Sequence, residues 1–139
     1  LSAFVGLYSE GSLDVDGLDS EEYGFTLTFT ASNLNGDRTI SIESLDVFIV
    51  FDVNMDIRAT MSGKIDDSNH GFVECVTTAS FKLLESESFP YVGTLRCDGK
   101  GETWVELSVI DSVQYQIRAD TDGDGIADYG PVIKYWSEF

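Results

Sequence analysis

The sequence predicts an all-β fold on three observations. Its dominant hydrophobic period is two residues, not 3.6. The segments that carry this period are rich in Thr, Val, Ile, Tyr and Phe, which suit a pleated, half-buried surface. Between them lie short clusters of Asp, Asn and Gly, which supply the backbone angles of tight hairpins. The pattern describes an antiparallel meander of about eight strands. A meander that buries one face is completed as a β-sandwich or a partly closed barrel. A sandwich, or a strongly twisted and partly closed meander, is favoured over a ligand-holding barrel.

The elements follow in order. Residues 9–22 are acidic and contain Gly and Ser, which reads as a mobile loop or a linker. The chain is therefore taken as one domain over 1–139, with 1–22 read as a flexible acidic leader. Phe25-Thr-Leu-Thr-Phe29 alternates strictly and predicts a half-buried strand. Asn35-Gly36-Asp37 marks a turn. Residues 40–45 are too few and too β-branched for a helix. Leu45–Val53 is apolar apart from Asp46 and Asp52, and predicts a central strand covered on both faces. Ile57, Ala59 and Met61 alternate with Arg58, Thr60 and Ser62. A polar turn over 66–71 leads into a long strand whose inward parity is Val73, Cys75, Thr77, Ala79, Phe81 and Leu83. Further strands are expected at 92–97, 103–110, 113–119 and 132–136, with turns at Asp98-Gly-Lys-Gly101 and Asp111-Ser112.

Charge narrows the partners. With 25 acidic and 8 basic residues the formal charge is −17. Such a surface repels phosphate backbones and anionic lipid, so nucleic acid is excluded as a partner. The charge fits either plain solubility or cation binding. The apolar run Val47–Phe51 is far short of the roughly 20 residues a spanning helix needs. The chain opens at Leu1 with no basic stretch and no cleavage pattern, which reads as a mature chain with any signal peptide removed.

Cys75 and Cys97 form no CxxC, and with a single His they make a poor zinc site. They read better as one disulfide. If the strands over 72–83 and 92–97 are neighbours, the two sulfurs can meet across the ladder. The closed loop of about 23 residues would add roughly 3 kcal/mol in the chain-entropy model. A disulfide points to the periplasm, the cell surface or the medium.

The most distinctive segment is Asp120-Thr-Asp-Gly-Asp-Gly-Ile-Ala-Asp128. It places Asp at loop positions 1, 3, 5 and 9 and Gly at position 6. Calcium is a hard cation that takes six to eight oxygens, and carboxylates at alternate residues can converge on one ion. Asp120, Asp122 and Asp124 are the expected carboxylate ligands. The Ile126 carbonyl is the expected backbone ligand, with its side chain anchoring the loop to the core. Asp128 is expected to ligate directly or through water. The competing reading is a solvated hairpin held by Asx-turns.

This pattern resembles the calcium loops of EF-hands, dockerins and thrombospondin type 3 repeats over nine residues. It departs at position 12, normally a bidentate acid, which is Pro131 here. Strands rather than helices are expected on both sides. The resemblance therefore implies a calcium site of reduced affinity.

Residues 70–139 show a wider resemblance. Gly71-Phe-Val-Glu-Cys-Val-Thr-Thr78, Pro90-Tyr-Val-Gly-Thr-Leu95, the DTDGDGIAD loop and the ending Lys134-Tyr-Trp-Ser-Glu-Phe139 occur in that order. This is similar to the carboxy-terminal β-domain of uncharacterised bacterial lipoproteins and secreted proteins. The two cysteines are not part of that pattern. The resemblance implies a bacterial envelope protein, lipid-anchored through a segment outside this sequence, with no assigned activity.

Three function classes are weighed. The first is a non-catalytic envelope module that contacts another protein or the cell surface. The second is a carbohydrate-binding module using Trp104, Tyr115, Tyr129, Tyr135 and Trp136, against the ordinary role of aromatics in a core. The third is an enzyme. His70 lies in a polar turn, and no nucleophile motif or phosphate loop accompanies it. The first class is preferred, and no catalytic residue is assigned.

Overall fold

The computed structural model describes residues 8–19, 22–32, 38–51, 57–84 and 86–138. Side chains are described for Thr26 and for those positions from 38 onward. The strands are β1 (Tyr8–Asp19), β2 (Glu22–Ser32), β3 (Thr39–Phe51), β4 (Ile57–Asp67), β5 (Gly71–Leu83), β6 (Val92–Asp98), β7 (Trp104–Val109), β8 (Gln114–Asp120) and β9 (Tyr129–Tyr135). Short 3₁₀ turns occupy Lys100–Glu102 and Trp136–Glu138. All strand pairs are antiparallel, and the sheet order is the sequence order from β1 to β9. The predicted all-β meander is thus present as one open sheet of nine strands.

The ninth strand comes from a correction. The stretch 9–22, expected as a flexible leader or linker, supplies β1 and the first residue of β2. Asp, Gly and Ser are poor strand formers, yet a register that pairs Leu13 with Leu27 and Val15 with Phe25 outweighs that preference. The expected turn at 35–37 lies outside the described residues.

A second correction concerns β3. Its middle was expected to be covered on both faces. Instead Val47 and Ile49 are half-buried while Phe48 between them is 37% exposed. An antiparallel meander is one layer thick, so a second apolar face finds no cover within it. Asp46 fits the exposed parity and accepts a hydrogen bond from Thr26 Oγ1 at 2.6 Å. β3 ends at Phe51, and residues 52 and 53 lie outside the described set.

Cross-strand partners share a face of the sheet. One face carries Ile49, Ala59 and Phe81 in register, then Leu95, Leu107 and Ile117. The other carries charge: Lys64 reaches Glu43 at 3.4 Å, Arg96 reaches Asp98 at 2.9 Å, and Arg118 reaches Glu106 at 2.7 Å. Arg96 and Arg118 also lie over the Trp104 ring, at 4.4 and 5.5 Å from its centroid. Trp104 is thereby buried on the charged face, by cation–π contact as well as by hydrophobic cover.

Full burial is sparse. Among the described residues, the buried apolar side chains are Cys75, Trp104, Tyr115 and Trp136. Cys75 and Cys97 are directly opposed in the β5–β6 register and form the expected disulfide. Trp136 follows β9 and folds back onto the apolar face. Its backbone N–H donates to Val113 O at 3.0 Å and its Nε1–H to Asp111 O at 3.4 Å. Its ring meets Tyr115 at 4.4 Å and stacks on Phe89 at 5.6 Å. Trp136 and Ile57 of β4 line one groove, although four strands lie between β4 and β9. The sheet therefore curls, as a partly closed barrel would.

Candidate metal centre

The β8–β9 connection holds the acidic loop. Asp120 is the last residue of β8 and sits opposite Trp104 on β7. That register carries its side chain under the loop, where it is 1% exposed. A buried carboxylate must be satisfied, and this one is. Oδ1 accepts backbone N–H groups from Gly123 at 2.6 Å and Asp122 at 3.2 Å, and Oδ2 accepts from Gly125 at 2.7 Å. The loop is thus wound around the Asp120 carboxylate.

Two glycines allow this winding. Gly123 and Gly125 have φ of 80° and 86°, in the left-handed region that side chains disfavour. Gly123 has a second constraint, since a Cβ there would overlap the Gly101 carbonyl. The β6–β7 turn therefore presses against the acidic loop.

Electrostatics follow from these contacts. Burial pushes the Asp120 carboxyl up, but the backbone donors of Gly123, Gly125 and Asp122 hold it down more strongly. The net result is a carboxyl below its ordinary range, ionised at neutral pH. Asp122 and Asp124 are exposed, and each caps its own turn: Asp124 N–H donates to Asp122 at 3.2 Å, and Ile126 N–H to Asp124 at 2.8 Å.

One ligand oxygen each from Asp120, Asp122 and Asp124 lies within 4.8 Å of the other two. Oxygens at 2.3–2.6 Å from a common calcium ion stand at most about 5 Å apart, so these separations are compatible with one ion. An ionised carboxylate has lone pairs to spare beyond the N–H bonds it accepts. The donor set is all oxygen and suits a hard cation over a soft one. With three protein oxygens converging, water would complete the shell.

Two further expectations for this loop concern Asp128 and the Ile126 side chain. Asp128 is absent from this convergent group. It closes the loop instead, accepting from Thr121 N–H at 3.0 Å and Thr121 Oγ1 at 2.6 Å, while its own N–H donates to Ala119 O at 3.0 Å. Ile126 was expected to anchor the loop by its side chain; that side chain is 70% exposed. The anchor is polar, through buried Asp120.

The aromatic candidates form no exposed row among the described residues. Trp104, Tyr115 and Trp136 are buried. Tyr129 and Tyr135 are 52% and 45% exposed, but they pair with Ala119 and Gln114 on opposite faces across a register shift in β8–β9. His70 is exposed in the β4–β5 turn, where its N–H donates to Asp67 O at 3.0 Å.

Compared with known proteins, the chain matches no family model, no curated protein and no solved structure. Among the described residues, no helix is long and apolar enough to cross a membrane.

Proposed function

We propose that this chain is a non-catalytic exported or cell-envelope β module, cross-linked by one disulfide and carrying a weak calcium site at Asp120, Asp122 and Asp124. The observation that carries the metal reading is that one oxygen from each of these three carboxylates lies within 4.8 Å of the other two. The disulfide supports an oxidising compartment. The resemblance of residues 70–139 to the β-domains of bacterial lipoproteins and secreted proteins supports the envelope assignment. Its work in this reading is contact with another protein or the cell surface, with the ion pinning the final hairpin.

The affinity should match extracellular calcium modules, about 10⁻⁴–10⁻³ M, because position 12 supplies no acid. Calcium at ten times its Kd would add about 1.4 kcal/mol. That corresponds to a rise in Tm of roughly 3–6 °C for a domain of this size. Thermal unfolding with calcium and with a chelator measures it directly. The double variant Asp122→Asn/Asp124→Asn, which keeps the side-chain oxygens but removes two of the three negative charges, should lose most of the rise while keeping the stability in chelator within about 1 kcal/mol of the parent. An intact protein whose Tm ignores millimolar calcium defeats the metal reading.

A further inference from the structure

We propose that Asp122–Gly123 and Asp124–Gly125 are latent sites of aspartate isomerisation, and that Asp120 suppresses both by holding the backbone nitrogen each reaction needs. The chemistry belongs to Asp–Gly sequences. The glycine nitrogen gives up its proton and attacks Cγ of the aspartate before it. An N–Cγ bond forms, and one carboxyl oxygen leaves as water with that proton and a second from solvent. Water then reopens the ring at either carbonyl, giving aspartate again or isoaspartate, with no net change in mass. Isoaspartate routes the main chain through its side-chain carboxyl and so lengthens the loop.

The fold itself creates the hazard. Glycine hinders the attack least, because it carries no side chain. This loop requires glycine at both places, for the left-handed φ of 80° and 86° and, at Gly123, for the approach of the Gly101 carbonyl. Asp122 and Asp124 are exposed, so burial does not keep water from the reacting groups. The sequence holds two more Asp–Gly pairs, Asp16–Gly17 and Asp98–Gly99. In the second, the Gly99 N–H donates to Thr103 O at 2.8 Å.

One carboxylate counters both hazards. Gly123 N–H donates to Asp120 Oδ1 at 2.6 Å, and Gly125 N–H donates to Oδ2 at 2.7 Å. These are the two nitrogens that would attack. A hydrogen bond to an ionised acceptor is stronger than one to a neutral acceptor. A negative charge beside an N–H also opposes loss of its proton. Each nitrogen is thus turned toward Asp120 and held protonated. The two aspartates are engaged elsewhere as well. Asp122 accepts from Asp124 N–H at 3.2 Å and Asp124 from Ile126 N–H at 2.8 Å, in each case one residue past the glycine. Asp120 is 1% exposed and precedes Thr121 rather than a glycine.

Ageing the disulfide-linked chain at neutral pH in a calcium chelator tests this apart from the metal reading. Peptide mapping with electron-transfer fragmentation measures isoaspartate site by site, and the reduced chain in urea gives the unguarded rates. Each hydrogen bond to the charged carboxylate should slow its site at least about tenfold. In Asp120→Asn the side-chain oxygen stays with the Asp122 and Gly123 N–H groups, and Gly125 loses its acceptor. Asp124 should then approach its unguarded rate, while Asp122 and Asp98 stay slow. Near-UV dichroism of Trp104 and Trp136 reports folding of the variant. If it unfolds, hydrogen exchange in the parent chain decides: the Gly123 and Gly125 amides should exchange at least about tenfold more slowly than in urea. Amides that exchange as fast as in urea overturn the proposal, and so does a parent chain that isomerises at Asp122 or Asp124 at the unguarded rate. A folded Asp120→Asn that speeds neither site overturns it too. So does one that speeds Asp122 and Asp98 as much as Asp124, which is general loosening.

Discussion

The two ends of the sheet are held together by different means. Strands β6–β9 are six or seven residues long, yet with the 3₁₀ turn after β9 they carry three buried aromatics and most of the side chain-to-backbone turn locks among the described residues. Asp111 accepts from Val113 and Gln114 N–H at 2.8 Å each, and Asp120 organises the next turn in the same way. Strands β3–β5 are 11 to 13 residues long and, Cys75 apart, have no buried apolar side chain. Ladder hydrogen bonds alone contribute only modestly, because water offers the same bonds to the unfolded chain. Strand length is therefore no measure of stability here. The short end is locked within itself, whereas the described side chains of β3–β5 are, Cys75 apart, half-buried or exposed.

The largest expected effect lies at the short end. Trp136→Ala removes a buried ring that stacks on Phe89 and meets Tyr115 at a tilt, and should cost about 3–5 kcal/mol. Met61→Ala at the long end should cost at most about 1 kcal/mol if its half-exposed side chain stays uncovered. Chemical denaturation of both variants gives the comparison directly. A loss at Met61 close to that at Trp136 would mean that the groove is covered in solution.

The Cys75–Cys97 disulfide ties the long strand β5 to the short strand β6, so it joins the two regimes. Its sequence separation of 22 sets the loop it closes. Cys75→Ala/Cys97→Ala should lower stability by about 3 kcal/mol in the chain-entropy model. If the short end is independently locked, proteolysis of the variant should begin in β3–β5. Cleavage starting in β7–β9 would reverse the comparison.

How far each end was legible follows the same division. The period-two pattern located β4 through β9 and the cysteine pairing, because alternation and parity are local properties of the chain. It missed β1, whose Asp and Gly content argues against a strand until β2 is there to pair with it. It also assigned too much cover to β3. Hydrophobic runs report what a strand could bury, and the number of layers is decided by the whole chain. In the acidic loop, spacing singled out Asp120, Asp122 and Asp124, which the fold brings within 4.8 Å of one another. It could not reveal that Asp128 is engaged by Thr121, since that contact exists only once the loop has closed. The Arg96–Trp104–Arg118 stack is equally invisible in sequence, because three strands have to align before it exists.

The smallest effect concerns the lock itself. The Asp120 carboxyl is held below its ordinary range, because its three backbone donors outweigh the upward push of burial. A depressed carboxyl stabilises the fold above the ordinary carboxylate pKa and loses that contribution as pH falls through its folded value. Asp67 behaves alike, held down by Arg38 at 2.6 Å and by the Asn69 N–H at 3.0 Å. Acid should therefore loosen both the β8–β9 loop and the β4–β5 turn. In Asp120→Asn, the side-chain oxygen can still accept from Asp122 and Gly123, but the new amide N–H groups face the Gly125 N–H. Stability at neutral pH should fall, by less than in Trp136→Ala or the double cysteine variant, and the further loss between neutral pH and about pH 3 should shrink. Denaturation at the two pH values, with calcium chelated throughout, measures both. An unchanged acid loss in Asp120→Asn would move the acid-sensitive group away from the loop and toward the Arg38–Asp67 pair at the long end.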